Sequence, residues 1–281
     1  MLRTRIVTAV FLFSAFFLAL LYLPPLGWVV FATLVAAIAA WEWGALMTLS
    51  GALRIVMAIG FVAICAVISV LVPAALGVDG DFFGAAWQFG RWFYIPSVAF
   101  WLLGVPCWMS RRWLLPKNFV GLAIGAIVIL PTWLALVQLR QAGTVLLISI
   151  MAVVWLADIG AYVFGRRFGR HKLAPSISPG KTWEGAVGGG AVVIVYGFVL
   201  SYLPYNSPLV FAGRDVVLLL VLVLLTTISV IGDLFESLLK RQAGLKDSSN
   251  VLPGHGGVLD RIDSLTSTLP LVTLLWLTSL H

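Results

Sequence analysis

Apolar positions along this chain come in long runs separated by short polar breaks. The runs cover about 6–23, 27–48, 53–77, 92–109, 119–138, 144–164, 186–204, 216–233 and 265–280. About 20 apolar residues in a helix cross a hydrocarbon core roughly 30 Å thick. The pattern therefore predicts an all-α fold, a polytopic transmembrane helix bundle of about nine spans. It forms a single integral membrane domain over 1–281, with 1–140 mainly scaffold and 144–281 carrying a polar pocket.

Composition removes the soluble alternatives. Hydrophobic residues make up 61% of the 281 and charged ones 10%, with a mean hydropathy of +1.06, well beyond a soluble domain. Arg3 and Arg5 give the first run a basic start resembling a secretory signal. It ends in Leu21-Tyr22-Leu23-Pro24-Pro25 without a small-residue cleavage site, so an uncleaved helix is expected. Cys65 and Cys107 lie inside apolar runs without a CxxC pair and read as small apolar filler.

Charge sets an orientation. Of the 18 lysines and arginines, all but Arg91, Arg140 and Arg214 fall on the loops that share a side with the N-terminus. Basic loops stay in the cytoplasm, which predicts a cytoplasmic N-terminus and an external C-terminus. The net charge of +7 then belongs to one membrane face, and no nucleic-acid partner is implied. Arg111, Arg112 and Lys117 serve this topology, with an anionic lipid headgroup as the alternative.

The acids narrow the chemistry. Asp79, Asp81 and Asp215 fall in outer loops and read as solvated. Glu42, Asp158, Glu184, Asp233, Glu236, Asp247, Asp260 and Asp263 all fall toward the cytoplasmic side. Ionisable groups at membrane depth are costly and face a partner or cavity, so their gathering on one level predicts a polar site there.

Three segments supply it. In WLADIGAYVFGRRFGRHKLAPSISPGKTWEG, 155–185, Asp158 stands one turn before Tyr162 and a basic loop follows. Gly180-Lys181-Thr182 is not a phosphate loop, because position 175 is Pro175 and no strand is expected before it. Lys181 remains a point charge suited to phosphate. In IGDLFESLLKRQAG, 231–244, Asp233, Ser237, Lys240 and Arg241 share one helical face, as a metal-bound polyphosphate would require. In KDSSNVLPGHGGVLDRIDS, 246–264, the glycines around His255 allow close backbone approach. There Asp260 and Asp263, one turn apart, suit oxygen ligation of Mg²⁺. Free backbone N–H groups at that helix start could receive phosphate. His255 lacks the partners of a zinc site.

Ser237-Leu-Leu-Lys240-Arg241, Lys246-Asp247, Ser249, Pro253-Gly254-His255-Gly256-Gly257 and Asp260-Arg261-Ile262-Asp263 together resemble the bacterial phosphatidate cytidylyltransferase (CDP-diglyceride synthase) pattern. Asp158-Ile-Gly-Ala-Tyr162, Ser178-Pro-Gly-Lys181-Thr182-Trp183 and Trp41-Glu42-Trp43 resemble it too. The resemblance implies an enzyme of the bacterial inner membrane, active site toward the cytoplasm. It would convert CTP and phosphatidic acid to CDP-diacylglycerol and pyrophosphate with Mg²⁺, as a homodimer among membrane lipids. It also implies metal ligation by Asp233 and Asp260.

The residues themselves fit attack of the lipid phosphate on the CTP α-phosphorus. Asp233, Asp260, Lys240, Arg241, Ser237 and Asp263 are the candidate catalytic residues. Lys181, Asp158, Lys246, Asp247, His255, Gly256, Gly257 and Arg261 are the candidate substrate contacts, and a second cation has room in such a site. Pocket chemistry alone also admits a CTP-dependent lipid kinase. An anionic-solute transporter would place its charges near the midplane of two symmetric halves, which this sequence does not.

Overall fold

The computed structural model describes residues 2–78, 85–202 and 215–279. Asp79, Asp81 and Arg214 lie outside the described residues, as do the side chains of Arg3 and Arg5. Among the described residues the chain forms nine helical rods and one small hairpin. The rods are α1 (Leu2–Tyr22), α2 (Pro25–Leu46), α3 (Gly51–Leu71), a composite of α4 (Arg91–Ala99) and α5 (Val105–Arg111), α6 (Phe119–Ala142), α7 (Thr144–Phe168), α8 (Trp183–Ser201), α9 (Asp215–Gln242) and α10 (Leu259–Ser279). A π-helical turn, Phe100–Gly104, joins α4 to α5, a local widening of the helix that follows Pro96.

Seven rods are long and apolar enough to cross a membrane by length and composition. In α1, a helix of 21 residues, the described side chains begin at Ile6 and form the apolar stretch Ile6–Tyr22. Helix α10 carries Asp260, Arg261 and Asp263 in its first turns, then a run of serines and threonines. It can be polar because it is the central post of the bundle, packed by α9, α6, α4, α7 and α2. Its hydroxyls are satisfied internally. Thr268 and Thr273 donate to the carbonyls four residues back, and Ser267 reaches Ile228 O on α9.

Close helix contact sets the frame on one side. A Cβ on Gly160 would lie 2.9 Å from Gly189 Cα, and one on Gly189 2.5 Å from Ala157 O. Small residues thus let α7 and α8 touch backbone to backbone, the usual means of tight helix pairing in lipid. On the other side Trp43 Nε1 donates to Gly121 O at 3.0 Å, pinning α2 to α6.

Two departures from the apolar pattern bear on the site. Helix α9 runs nine residues beyond Asp233, the last residue of its apolar run, so Ser237, Lys240 and Arg241 are all helical. The expectation of no strand before Gly180 is corrected: β1 (Lys172–Ala174) pairs antiparallel with β2 (Ser178–Thr182), Lys172 opposite Thr182. A polar segment bounded by two helix ends satisfies its backbone groups by folding on itself. Thr182 then caps α8, its Oγ1 accepting from Gly185 N at 3.1 Å.

Candidate active site

Two polar clusters meet where α7, α9 and α10 approach the hairpin. The first borders a groove of about 390 Å³ lined by Asp158, Tyr162, Leu173, Lys181, Thr226, Val230 and Asp233, with the small Ala157, Ala161, Gly185 and Ala186 as its floor. The hairpin delivers Lys181 to α9, its Nζ 2.5 Å from Asp233 Oδ2. Ser237, one turn on, donates to Asp233 Oδ1 at 3.3 Å. The charges of Asp158, Asp233 and Asp263 are near enough to act on one another, and Lys181 and Arg261 act on Asp158. Charged groups and apolar side chains thus line the same groove.

The second cluster is buried and built on ion pairs, with Glu236 Oε1 left without a hydrogen-bond partner. Lys240 Nζ stands 2.5 Å from Glu236 Oε2 and 2.6 Å from Asp260 Oδ1. All three side chains are at most 12% exposed. Asp260 Oδ2 accepts from Ser248 N at 2.9 Å, Ser248 Oγ at 3.0 Å and Gly257 N at 2.7 Å. Glu42, wholly buried on α2, accepts from Ser249 Oγ at 2.6 Å and Val258 N at 2.9 Å on Oε1. On Oε2 it accepts from Leu259 N at 2.6 Å and Ser248 Oγ at 3.2 Å.

This corrects one expectation. The backbone N–H groups of Gly257, Val258 and Leu259 at the start of α10 are not free for phosphate; Asp260 and Glu42 hold them. Anion recognition at a helix start takes place, but the anions are the protein's own carboxylates.

The glycine-bent stretch now has a local cause. Gly254 and Gly256 sit at φ +77° and +83°, and Leu252 bridges Gly256. A Cβ on Gly257 would collide with Ser248 Oγ and Glu42 Oε1. Arg261 donates to His255 O at 2.9 Å, closing the turn. Lys246, Asp247 and Arg241 are exposed.

The row read from spacing along α9 therefore divides. Asp233 and Ser237 serve the groove, Lys240 turns inward, and Arg241 stays outside, donating to Leu245 O at 3.4 Å. Glu42 and Glu236 are among the acids expected to gather here, though without a catalytic or binding role, and Ser248 was not expected at all. A lone acid among the tryptophans of an apolar helix was the available signal for Glu42; nothing in the sequence singles out Ser248.

Asp158, Asp233 and Asp263 offer the hard oxygen donors that Mg²⁺ prefers. Mg²⁺ carried by a nucleotide binds through one or two carboxylates plus phosphate oxygens. The donor set fits.

A model of the cytidylyltransferase family matches residues 3–278. The phosphatidate cytidylyltransferase of Pseudomonas aeruginosa is 37% identical over 98% of this chain and 97% of its own. That of Haemophilus influenzae is 33% identical over 96% of both. A Staphylococcus saprophyticus phosphatidate cytidylyltransferase is 43% identical over 50% of this chain and 52% of its own. With the family model and two relatives spanning nearly its whole length, the chain belongs to the cytidylyltransferase family.

Proposed function

We propose that the protein makes CDP-diacylglycerol and pyrophosphate from CTP and phosphatidic acid. The observation that carries this is the groove itself. Asp158, Lys181 and Asp233 line it together with Leu173, Val230 and the alanines, so one cleft can hold a polyphosphate and a lipid headgroup together. The relatives bearing that enzyme name cover nearly the whole chain.

Both substrates are anions, and their repulsion is the main barrier. Phosphatidate already carries a nucleophilic oxygen near neutral pH, so positioning and neutralisation do most of the catalysis. Two lysine–aspartate pairs supply both. In the free protein Lys181 neutralises Asp233 and Lys240 neutralises Asp260. A bound triphosphate would draw both ammonium groups to its oxygens. Asp233, with Asp158 and Asp263 beside it and Ser237 steadying it, would hold the nucleotide's divalent ion, and Asp260, freed from Lys240, would join it. Bound Mg²⁺ would supply charge neutralisation on the phosphates.

A phosphatidate oxygen then bonds to the α-phosphorus as its bond to the bridging oxygen breaks. Pyrophosphate leaves past the exposed Arg241 and Lys246. Asp247, His255, Gly256, Gly257 and Arg261 belong to the bent stretch that carries Asp260.

The groove faces the cytoplasm in a bacterial inner membrane, by the basic asymmetry, and the working unit is a homodimer. Purified protein given CTP, phosphatidate and Mg²⁺ should release pyrophosphate in equal amount to CDP-diacylglycerol. Pyrophosphate without lipid nucleotide, or CDP with a newly phosphorylated lipid, would refute it.

A further inference from the structure

We infer that Glu42 is a positioning residue for the transfer, the clamp that fixes the polar stretch and the start of α10 in their working geometry. The inference rests on the function proposed above.

Glu42 stands on α2, far in sequence from the groove, yet all its partners lie between 248 and 259. They are the Ser249 hydroxyl and two backbone amides, which donate to it, and the Ser248 hydroxyl, whose single proton it shares with Asp260. A fully buried carboxylate so surrounded accepts on both oxygens. Its own helix is held rigidly on either side. Trp43 is bonded to Gly121 O. Arg54 stacks 3.7 Å above Trp41 and donates to Trp41 O, bringing a countercharge within range of Glu42.

What Glu42 holds is the platform of the catalytic carboxylates. Ser248 is shared: its Oγ reaches both Glu42 and Asp260. Val258 and Leu259 lead directly into Asp260 and, one turn on, Asp263. Through Asp260 the same network reaches Lys240 and Glu236 on α9. These groups come from separate elements, and α2 supplies a fixed point for them. Misplacement by about 1 Å of groups far from the reacting atoms can cost on the order of 100-fold in rate.

Glu42→Gln tests this, since it keeps shape while setting an amide donor against amide and hydroxyl donors. It should lower kcat by at least ~10-fold, the weight of one unsatisfied buried group. The Mg²⁺ concentration for half-maximal activity should rise several-fold, roughly as loosened ligand support allows. The KM for phosphatidate in mixed micelles should stay within about two-fold, because uniform lipid binding is untouched. Ser249→Ala, which removes one donor and keeps the carboxylate, should move kcat and the Mg²⁺ requirement in the same direction by less. Its effect should be largely absent in the Glu42→Gln background, since the two share one interaction.

A folded Glu42→Gln protein with wild-type kcat and Mg²⁺ requirement would overturn the inference, as would a change confined to the phosphatidate KM. Should Glu42→Gln not fold, Ser249→Ala decides alone, and wild-type kinetics there would overturn it. A wild-type protein that makes no CDP-diacylglycerol would instead refute the function proposed above.

Discussion

Replacing Lys240 by Met removes the one cation between two buried carboxylates. In the native structure its Nζ is 2.5 Å from Glu236 Oε2 and 2.6 Å from Asp260 Oδ1, with those side chains 6% and 5% exposed. Methionine fills most of the volume but leaves both acids facing each other without a counterion. Breaking a buried pair by deleting one partner costs about 3–5 kcal/mol. For a chain of this size that corresponds to a drop in Tm on the order of 10 °C. Lys240→Met/Glu236→Gln should recover more than half of the loss, because only one carboxylate then lacks its partner. Thermal unfolding in a fixed detergent gives the stabilities, and initial rates of CDP-diacylglycerol formation give the activities. The double variant should be stable yet slow, since Lys240 also serves the phosphates. A Lys240→Met protein as stable as wild type would refute the buried-pair account, whatever its activity.

Further outcomes follow from the same geometry. Asp233→Asn and Asp260→Asn should each remove most activity at saturating Mg²⁺ while leaving the elution profile unchanged, whereas Asp79→Asn should be silent. Near-normal turnover of either site variant would show the assignment to be wrong. Gly189→Val, whose side chain would press on Ala157 O, should part α7 from α8 and cost about 1–3 kcal/mol; an unchanged Tm would contradict the backbone contact. With Cys65 and Cys107 replaced, a cysteine introduced by Lys172→Cys or Asn250→Cys should resist impermeant maleimide on intact cells and react after lysis. Labelling from outside would reverse the proposed orientation.

The apolar runs carried the architecture because a membrane span needs little beyond length and hydrophobicity. They misjudged ends where polar residues continue a helix. The apolar run ends at Asp233, but α9 continues to Gln242 because Lys240 and Glu236 neutralise each other inside it. Helical spacing correctly placed Asp233 and Ser237 together, and it placed Asp260 and Asp263 one turn apart. It could not show that Lys240 turns inward, since partners on another helix decide that. The hairpin was hidden because three and five residues with prolines and glycines carry no strand period. Glu42 shows the deeper limit: its partners lie more than 200 residues away. The sequence revealed a costly carboxylate but not the backbone amides that justify it.

The central claim is that a lipid phosphate takes the nucleotide at its α-phosphorus. Purified protein in mixed micelles, given phosphatidate, Mg²⁺ and CTP labelled at the α-phosphorus, tests it in one chromatogram. The expected result is label in the lipid product and unlabelled pyrophosphate in solution, both abolished by EDTA. Label remaining in soluble CDP, with γ-label passing to lipid in a parallel reaction, would mean phosphoryl transfer to an alcohol and contradict the account.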